Sequence, residues 1–358
     1  MARYLEYKFK TFLFVLLMLL FIAAVQYLVG EKIYHIKDAG DETYMKWVTD
    51  RKNYFGIIAL KHSDTKKFLL KTYDLRILVI VYNRVHSLVR LLKSLNEAEY
   101  GSDSIKLEVW IDRLEDGNID SPTLQAAKSF TFKYGEYEIL IHSQHVGIYG
   151  QWFTTWKPDV NSSEIALILE DDLTVSKYFW RYLKIVHEKY NKYANINGYS
   201  LQGHSITFSE EHHHAALRGP NDSFVFLFPV LGTWGFSPST KNWKTFLDWF
   251  KNQDINTFKP YVPGNIATWW YKDLSSQGRA STMWSMWHIY YAWKNNESTL
   301  HCNFPGSAGL TTNWREKGLH VAETEGSSNQ LVTEWKTEYE NLSDHVPFLD
   351  LSGRIIHN

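Results

Sequence analysis

The chain has 358 residues, 44% of them hydrophobic and 22% charged, with a formal net charge of −1. This balance excludes an intrinsically disordered chain and a nucleic-acid binder held by bulk positive charge. The single cysteine, Cys302, excludes an intrachain disulfide framework and is expected as a small buried apolar residue. The 15 Trp, 22 Tyr and 20 Phe suit cores and sugar-binding clefts alike.

Residues 12–29 form an apolar run broken only by Gln26. At about 18 residues it sits at the short end of what spans a bilayer. Arg3, Lys8 and Lys10 precede it, and Glu31, Asp38, Asp41 and Glu42 follow. Because Lys and Arg stay on the cytoplasmic side, the expectation is a cytosolic tail (1–11), a transmembrane signal anchor (12–30) and a lumenal remainder. A cleaved signal peptide, with Ala23 and Ala24 near the cut, is the alternative. Four N-x-[ST] sequons, at Asn161, Asn221, Asn296 and Asn341, agree with a lumenal location.

Residues 31–74 are mixed and without a clean period and read as a stem. From Leu75 the pattern becomes an alternation. Leu75, Ile77, Val79 and Val81 lie in a nearly continuous apolar run, as in a parallel strand buried on both faces, which ends at Tyr82-Asn83-Arg84. Leu88, Leu91, Leu92 and Leu95 recur at helical spacing. A second strand (107–111) ends at Asp112, and a helix (124–132), a third strand (138–141) and a helix starting at Gly147 (147–156) follow. A fourth strand (165–169) runs into Glu170-Asp171-Asp172, and a helix (179–193) comes after it. Such alternation specifies an α/β fold with an open, mostly parallel sheet flanked by helices. Ligands of such sheets bind outside the carboxyl ends of the strands, where Arg84, Asp112 and the acidic triplet all fall. The second half is less regular: a strand-like run (225–230), Gly232-Thr233-Trp234-Gly235, an amphipathic helix (242–250) and an aromatic-dense stretch (269–293). The domain is taken as 75–345, with 346–358 as a C-terminal tail.

Three adjacent carboxylates closing a buried strand repel one another and call for a cation. Hard oxygen donors suit Mg²⁺ or Mn²⁺, which neutralises charge on a departing diphosphate. The alternative is that the acids favour the start of the following helix. The His212-His213-His214 tract lies in a polar loop, and neighbouring side chains on one loop seldom converge on one ion.

The run Ala166-Leu-Ile-Leu-Glu-Asp-Asp-Leu-Thr-Val-Ser-Lys-Tyr-Phe-Trp-Arg-Tyr-Leu183 resembles the acidic-motif region of the GT-A-fold N-acetylglucosaminyltransferase I family. The segment Phe228-Pro-Val-Leu-Gly-Thr-Trp234 is similar to that family's Phe-Pro-Gly-Leu-Gly-Trp, and Leu78-Val-Ile-Val-Tyr-Asn-Arg84 to its first strand. The opening Tyr-Asn-Arg also resembles family-2-type glycosyltransferases. The matches span roughly 75–315 in three short blocks. The resemblance implies a Rossmann-like GT-A domain, with Asp172 on the metal, Glu170 and Asp171 on the donor sugar and ribose, and Arg84 and Asp112 on the nucleotide. It also implies a type II membrane protein of the Golgi or ER, moving GlcNAc or Gal from a UDP-sugar to a glycan or glycoprotein acceptor, Mn²⁺- or Mg²⁺-dependent and inverting. An inverting transferase needs a carboxylate base. Where those families carry a Trp-Asp element this chain has Met283-Trp-Ser-Met-Trp287, with Ser285 in the acid's place. Asp273 and Asp248 are the nearest substitutes. Trp234, Trp284 and Trp287 suit sugar stacking or core packing equally.

Two other readings compete. A degenerate transferase fold would bind glycans or a partner enzyme without catalysis, as the missing Trp-Asp suggests. A metal-dependent nucleotidyl- or phosphotransferase would want a Gly-rich phosphate loop, and no G-x-G-x-x-G or Walker pattern is present.

Overall fold

A computed structural model describes residues 72–203, 205–207, 215–318 and 323–356. The expected cytosolic tail and anchor, nearly all of the stem, and the His212-His213-His214 tract lie outside the described residues. Among the described residues no helix is long and apolar enough to cross a membrane.

The first half alternates as its hydrophobic pattern requires: β1 (Leu75–Val81), α1 (Val85–Asn96), β2 (Ile105–Ile111), α2 (Ser121–Ser129), β3 (Gly135–Ile141), α3 (Gly147–Thr154), β4 (Ile165–Glu170), β5 (Leu173–Val175) and α4 (Phe179–Tyr190). Helix α2 starts and stops earlier than its apolar spacing suggests. Asp120 caps it, its Oδ2 accepting the Thr123 N–H at 3.0 Å, with a proline in the first turn, and Phe130 is already extended.

The second half contributes β6 (Ile196–Ser200), β7 (Ile206–Thr207), β8 (Ala215–Ala216), β9 (Val225–Phe228), β10 (Phe236–Pro238), α5 (Thr240–Lys251), α6 (Ile266–Ser276), α7 (Ser285–Lys294), β11 (Ser298–Cys302), β12 (Thr311–Asn313), β13 (Phe348–Leu349) and β14 (Ile355–Ile356). The main sheet has the order β14-β13-β9-β11-β6-β10-β4-β1-β2-β3. Strands β3, β2, β1 and β4 are mutually parallel. Beyond β4, the antiparallel β10 reverses direction and the rest is mixed. Within the segment expected as a tail, Phe348–Leu349 and Ile355–Ile356 belong to the sheet: β13 pairs with β9 and β14, and Leu349 is buried.

The sheet is covered on both faces. Side chains alternate along each strand, so Ile77, Val79, Leu167 and Leu169 face a largely aliphatic layer with α1, α2 and α4. Leu78, Ile80, Ala166 and Ile168 face an aromatic layer built from α3, α5, α6 and α7. Cys302 is buried, as expected. With β1 to β4 parallel, their carboxyl ends meet at one edge, which brings Arg84, Asp112 and Glu170-Asp171-Asp172 to the same side of the molecule.

Candidate active site

Glu170 is the last residue of β4, and its parity turns it towards the aromatic layer. Its Oε1 accepts the Trp152 Nε1–H at 2.9 Å. Trp152 in turn stacks on Trp284, with ring centroids 4.0 Å apart and 24° between planes. Trp284 and Trp287 are both buried, which settles their open alternatives in favour of the core. The pair fixes the indole that holds Glu170.

Asp171 and Asp172 converge on Arg84, which ends the loop after β1. Arg84 Nη2 donates to Asp171 Oδ1, and Nη1 donates to Asp172 Oδ2 at 3.0 Å. The second oxygen of Asp172 accepts the Asn313 Nδ2–H at 2.9 Å. Burial first, and the Asp172 charge second, push the Glu170 carboxyl well above the usual carboxylate range. Burial likewise raises Asp171, with Arg84 opposing it. Burial alone would lower the Arg84 guanidinium, but the charges of Asp171 and Asp172 raise it instead. One guanidinium thus faces three acids, and the carboxylates remain under-compensated.

Asn313 belongs to a strap that sequence reading did not single out. Strand β12 pairs antiparallel with β5, which carries 313–318 alongside the acidic cluster. The Trp314 N–H donates to the Asp172 carbonyl at 3.0 Å, and its indole N–H donates to Thr174 Oγ1 at 2.8 Å. Glu316 accepts from Ser87 Oγ and pairs with Arg90 Nη2 at 2.6 Å. Arg90 also lies 4.6 Å from the Trp314 ring centroid. Against the opposing effect of burial, the Ser87 and Arg90 bonds hold Glu316 below the usual carboxylate range. The strap lies about 140 residues downstream of the acids it touches, and Asn-Trp-Arg-Glu has no local signature, so only the β5–β12 pairing reveals it.

The Gly-Thr-Trp-Gly segment is explained by close approach. A Cβ on Gly232 would overlap Ser200 Oγ and the Gln202 amide. Gly235 has φ +86°, and a Cβ there would lie 2.7 Å from Thr311 Cγ2. Both glycines let 231–235 cross the end of β6 beside β12.

Asp112 follows the last residue of β2. It reaches the expected edge, but it is 2% exposed, and it accepts backbone N–H groups from Arg113 at 2.8 Å, Val146 at 2.9 Å and Gly147 at 2.8 Å. Its charge stabilises the start of α3. Its Oδ2 lies 3.1 Å from His145 Nδ1, and that hydrogen bond raises the imidazole above its ordinary value. His145, partly exposed beside Tyr82 at a ring-centroid distance of 5.6 Å, is the side chain that reaches the surface at this point.

Asp248 and Asp273 bond within their own helices or helix ends, away from the acidic cluster. Asp248 lies on the outward face of α5 and accepts Lys244 Nζ–H at 2.6 Å. Asp273 lies on the outward face of α6 and accepts Gln277 Nε2–H at 2.9 Å. Both side chains are exposed to solvent.

Among the described residues no three His, Cys, Asp or Glu side chains converge as a self-sufficient metal cage. The donor set nevertheless fits a Mg²⁺- or Mn²⁺-type ion. Such ions are commonly held by one or two carboxylates, with substrate phosphates and water completing the shell. Asp171 and Asp172 supply hard oxygens that already bind a cationic group, the guanidinium.

No family model and no curated protein matches the chain. Solved structures similar to it include S. aureus TarS 1-349, at 12% identity and TM-score 0.34, covering 65% of this chain and 61% of that one. Another is the mannosyltransferase PcManGT from Pyrobaculum calidifontis, in complex with GDP-Man and Mn²⁺, at 11% identity and TM-score 0.32, covering 67% of this chain and 64% of that one. In both cases the chain spans less than two thirds of the other protein's length.

Proposed function

We propose that the chain is a metal-dependent glycosyltransferase with a GT-A-type domain, moving GlcNAc or Gal from a UDP-sugar to a glycan or glycoprotein acceptor. In this reading it is held in the Golgi or ER membrane by its N-terminal anchor, with the domain in the lumen. The observation that carries the reading is the under-compensated carboxylate cluster at the carboxyl edge of the parallel strands. An enzyme that must release a diphosphate needs such a site, and a scaffold has no use for one. Asp172, with Asp171, would hold the divalent ion, which supplies neutralisation of the leaving diphosphate. Glu170, fixed by Trp152, would orient the donor sugar. Asn313 and the Trp314 backbone N–H keep Asp172 in place. The four sequon asparagines, all exposed, support a lumenal domain.

The test is calorimetric binding of UDP to the full-length chain with and without Mn²⁺. UDP should bind only with Mn²⁺, and Asp172→Ala should weaken that binding at least about 100-fold. Equal UDP binding by wild type and variant would remove Asp172 from the site, and no binding by wild type would sink the UDP-sugar reading.

A second reading, a glycan-binding protein without transfer activity, is favoured by one observation. Asp248 and Asp273 bond within their own helices, and Glu316, the carboxylate nearest the cluster on the strap, is held below its usual range and so is a poor proton acceptor. Sugar release from UDP-GlcNAc or UDP-Gal by the Mn²⁺-loaded chain separates the two: turnover supports the transferase, and donor binding without turnover supports the second reading.

A further inference from the structure

We infer that Arg84 couples cation binding to nucleotide binding, its guanidinium holding Asp171 and Asp172 against a free divalent ion and yielding when the ion arrives with a diphosphate. This inference rests on the metal-dependent transferase reading.

The geometry makes Arg84 a competitor for the cation. Its two terminal nitrogens donate to one oxygen of each acid, and Asn313 occupies the remaining oxygen of Asp172. A bare ion must therefore compete with two charge-assisted bonds of a planar fork for the same carboxylates. It must then sit beside the displaced positive charge.

The side chain is also built to leave. Asp171 and Asp172 are buried, whereas the Arg84 side chain is 28% exposed. The guanidinium therefore spans the distance from the buried acids to the open surface. Arg84 precedes α1 with φ −107° and ψ 77°, outside the helix, so torsions of a long side chain suffice to re-aim it. The strap comes near it at Gly318, where a Cβ would make only ordinary contact, 3.4 Å from Nη1.

A diphosphate resolves both obstacles. Its oxygens accept a guanidinium fork as well as a carboxylate does, so Arg84 exchanges partners instead of losing them. Its negative charge also screens Arg84 from the ion. Each ligand then strengthens the other by one common factor, as linkage requires.

The test follows the EPR signal of free Mn²⁺ during titration of the full-length chain, with and without UDP, for wild type, Arg84→Gln and Arg84→Lys, with thermal melts as the folding check. Wild type should bind Mn²⁺ weakly alone, and UDP should tighten that binding by about 30-fold, within the usual range of coupling. Arg84→Gln should bind Mn²⁺ alone about tenfold more tightly, with the UDP effect reduced to below about threefold. Arg84→Lys, a point charge unable to bridge both acids, should fall between the two. It also decides the matter alone should Arg84→Gln not fold. Variants that match wild type in both affinity and coupling overturn the inference and leave the transferase reading standing. A wild type that binds neither Mn²⁺ nor UDP in any combination overturns the transferase reading itself, and the coupling with it.

Discussion

Glu108 and Glu170 turn to the same face of the parallel strands, and the acid clusters they belong to have opposite surroundings. Glu108, in the middle of β2, is almost fully buried. Its Oε1 accepts from Arg76 Nη2 at 2.7 Å and Nε at 3.1 Å and lies 3.4 Å from Lys106 Nζ, while its Oε2 accepts the Trp110 indole N–H at 2.9 Å. Arg76 and Lys106 reach onward to the more exposed Glu164, Glu136 and Glu138, so Glu108, the one fully buried acid of the network, faces two cations. The triplet Glu170-Asp171-Asp172 shares one guanidinium among three acids. Both clusters involve buried acids next to cations, and only the ratio of charges separates an internal ion-pair network from a site that awaits a ligand. A buried acid therefore signals function when its compensation is incomplete.

Acid is the harshest perturbation of this comparison, and a pH scan alone would mislead. Burial lowers His187 and His288 to about 3, and His301 to about 4. A histidine whose folded value lies below the unfolded one, about 6.5, contributes stability that is complete above about 6.5. That stability is lost as the pH falls towards the folded value. From pH 7 to pH 5 each of the three should cost about 2 kcal/mol, or about 6 kcal/mol together. Burial raises the Glu170, Asp171 and Glu297 carboxyls in the folded state, so they gain stability over the same range by a comparable amount, and the net change should be small. Chemical denaturation of wild type and His288→Gln at pH 7 and pH 5 isolates one imidazole: wild type should lose about 2 kcal/mol relative to the variant at pH 5, and an equal change in both would mean that His288 is not held neutral. The two carboxylate clusters must therefore be compared at constant pH, near 7.

At that pH, Glu108→Ala should break the Glu108 network. It leaves Arg76 and Lys106 with only their outer partners and should cost about 3 kcal/mol in a urea melt. Mn²⁺-dependent UDP binding by the folded protein should not change, because Glu108 lies in mid-strand, away from the carboxyl edge. A stability loss under about 0.5 kcal/mol, the usual size for a surface change, would show that the network does not hold the strands together.

The first half of the fold was legible because a strand buried on both faces leaves an unbroken apolar run, and Leu88, Leu91, Leu92 and Leu95 mark one helical stripe. The same pattern located Arg84 and Glu170-Asp171-Asp172 at strand ends, where the structure brings them together. For Asp112, position at the edge does not reveal that backbone N–H groups already occupy the carboxylate. The region 269–293 gave no period because aromatic residues lie on every side of it. Trp269 and Trp270 are exposed, whereas Tyr271, Trp284 and Trp287 are buried, so α6 and α7 carry no simple stripe. Asn313, Trp314 and Glu316 were invisible because their role depends on the β5–β12 pairing, which no local spacing encodes. The sheet edge at β13 and β14 was missed for a similar reason: two-residue strands are too short to alternate visibly.

The smallest expected effect is the sharpest discriminator. Asp171→Asn removes one negative charge from the triplet without changing the side chain's shape. The amide oxygen can still accept from Arg84, so the guanidinium keeps both contacts while the repulsion with Glu170 and Asp172 falls. Stability should therefore rise by about 1 kcal/mol, and Mn²⁺-dependent UDP binding should weaken. Both changes can be read on one preparation, from a urea melt and a UDP titration. At Glu108 the loss of charge should destabilise the fold and spare binding, so the two positions should differ in the sign of the stability change as well as in function. If Asp171→Asn destabilises the fold to the extent that Glu108→Ala does, the triplet is a second ion-pair network of the ordinary kind. The electrostatic argument for a ligand at the carboxyl edge would then fail, because a cluster already balanced by Arg84 has no need of a further cation.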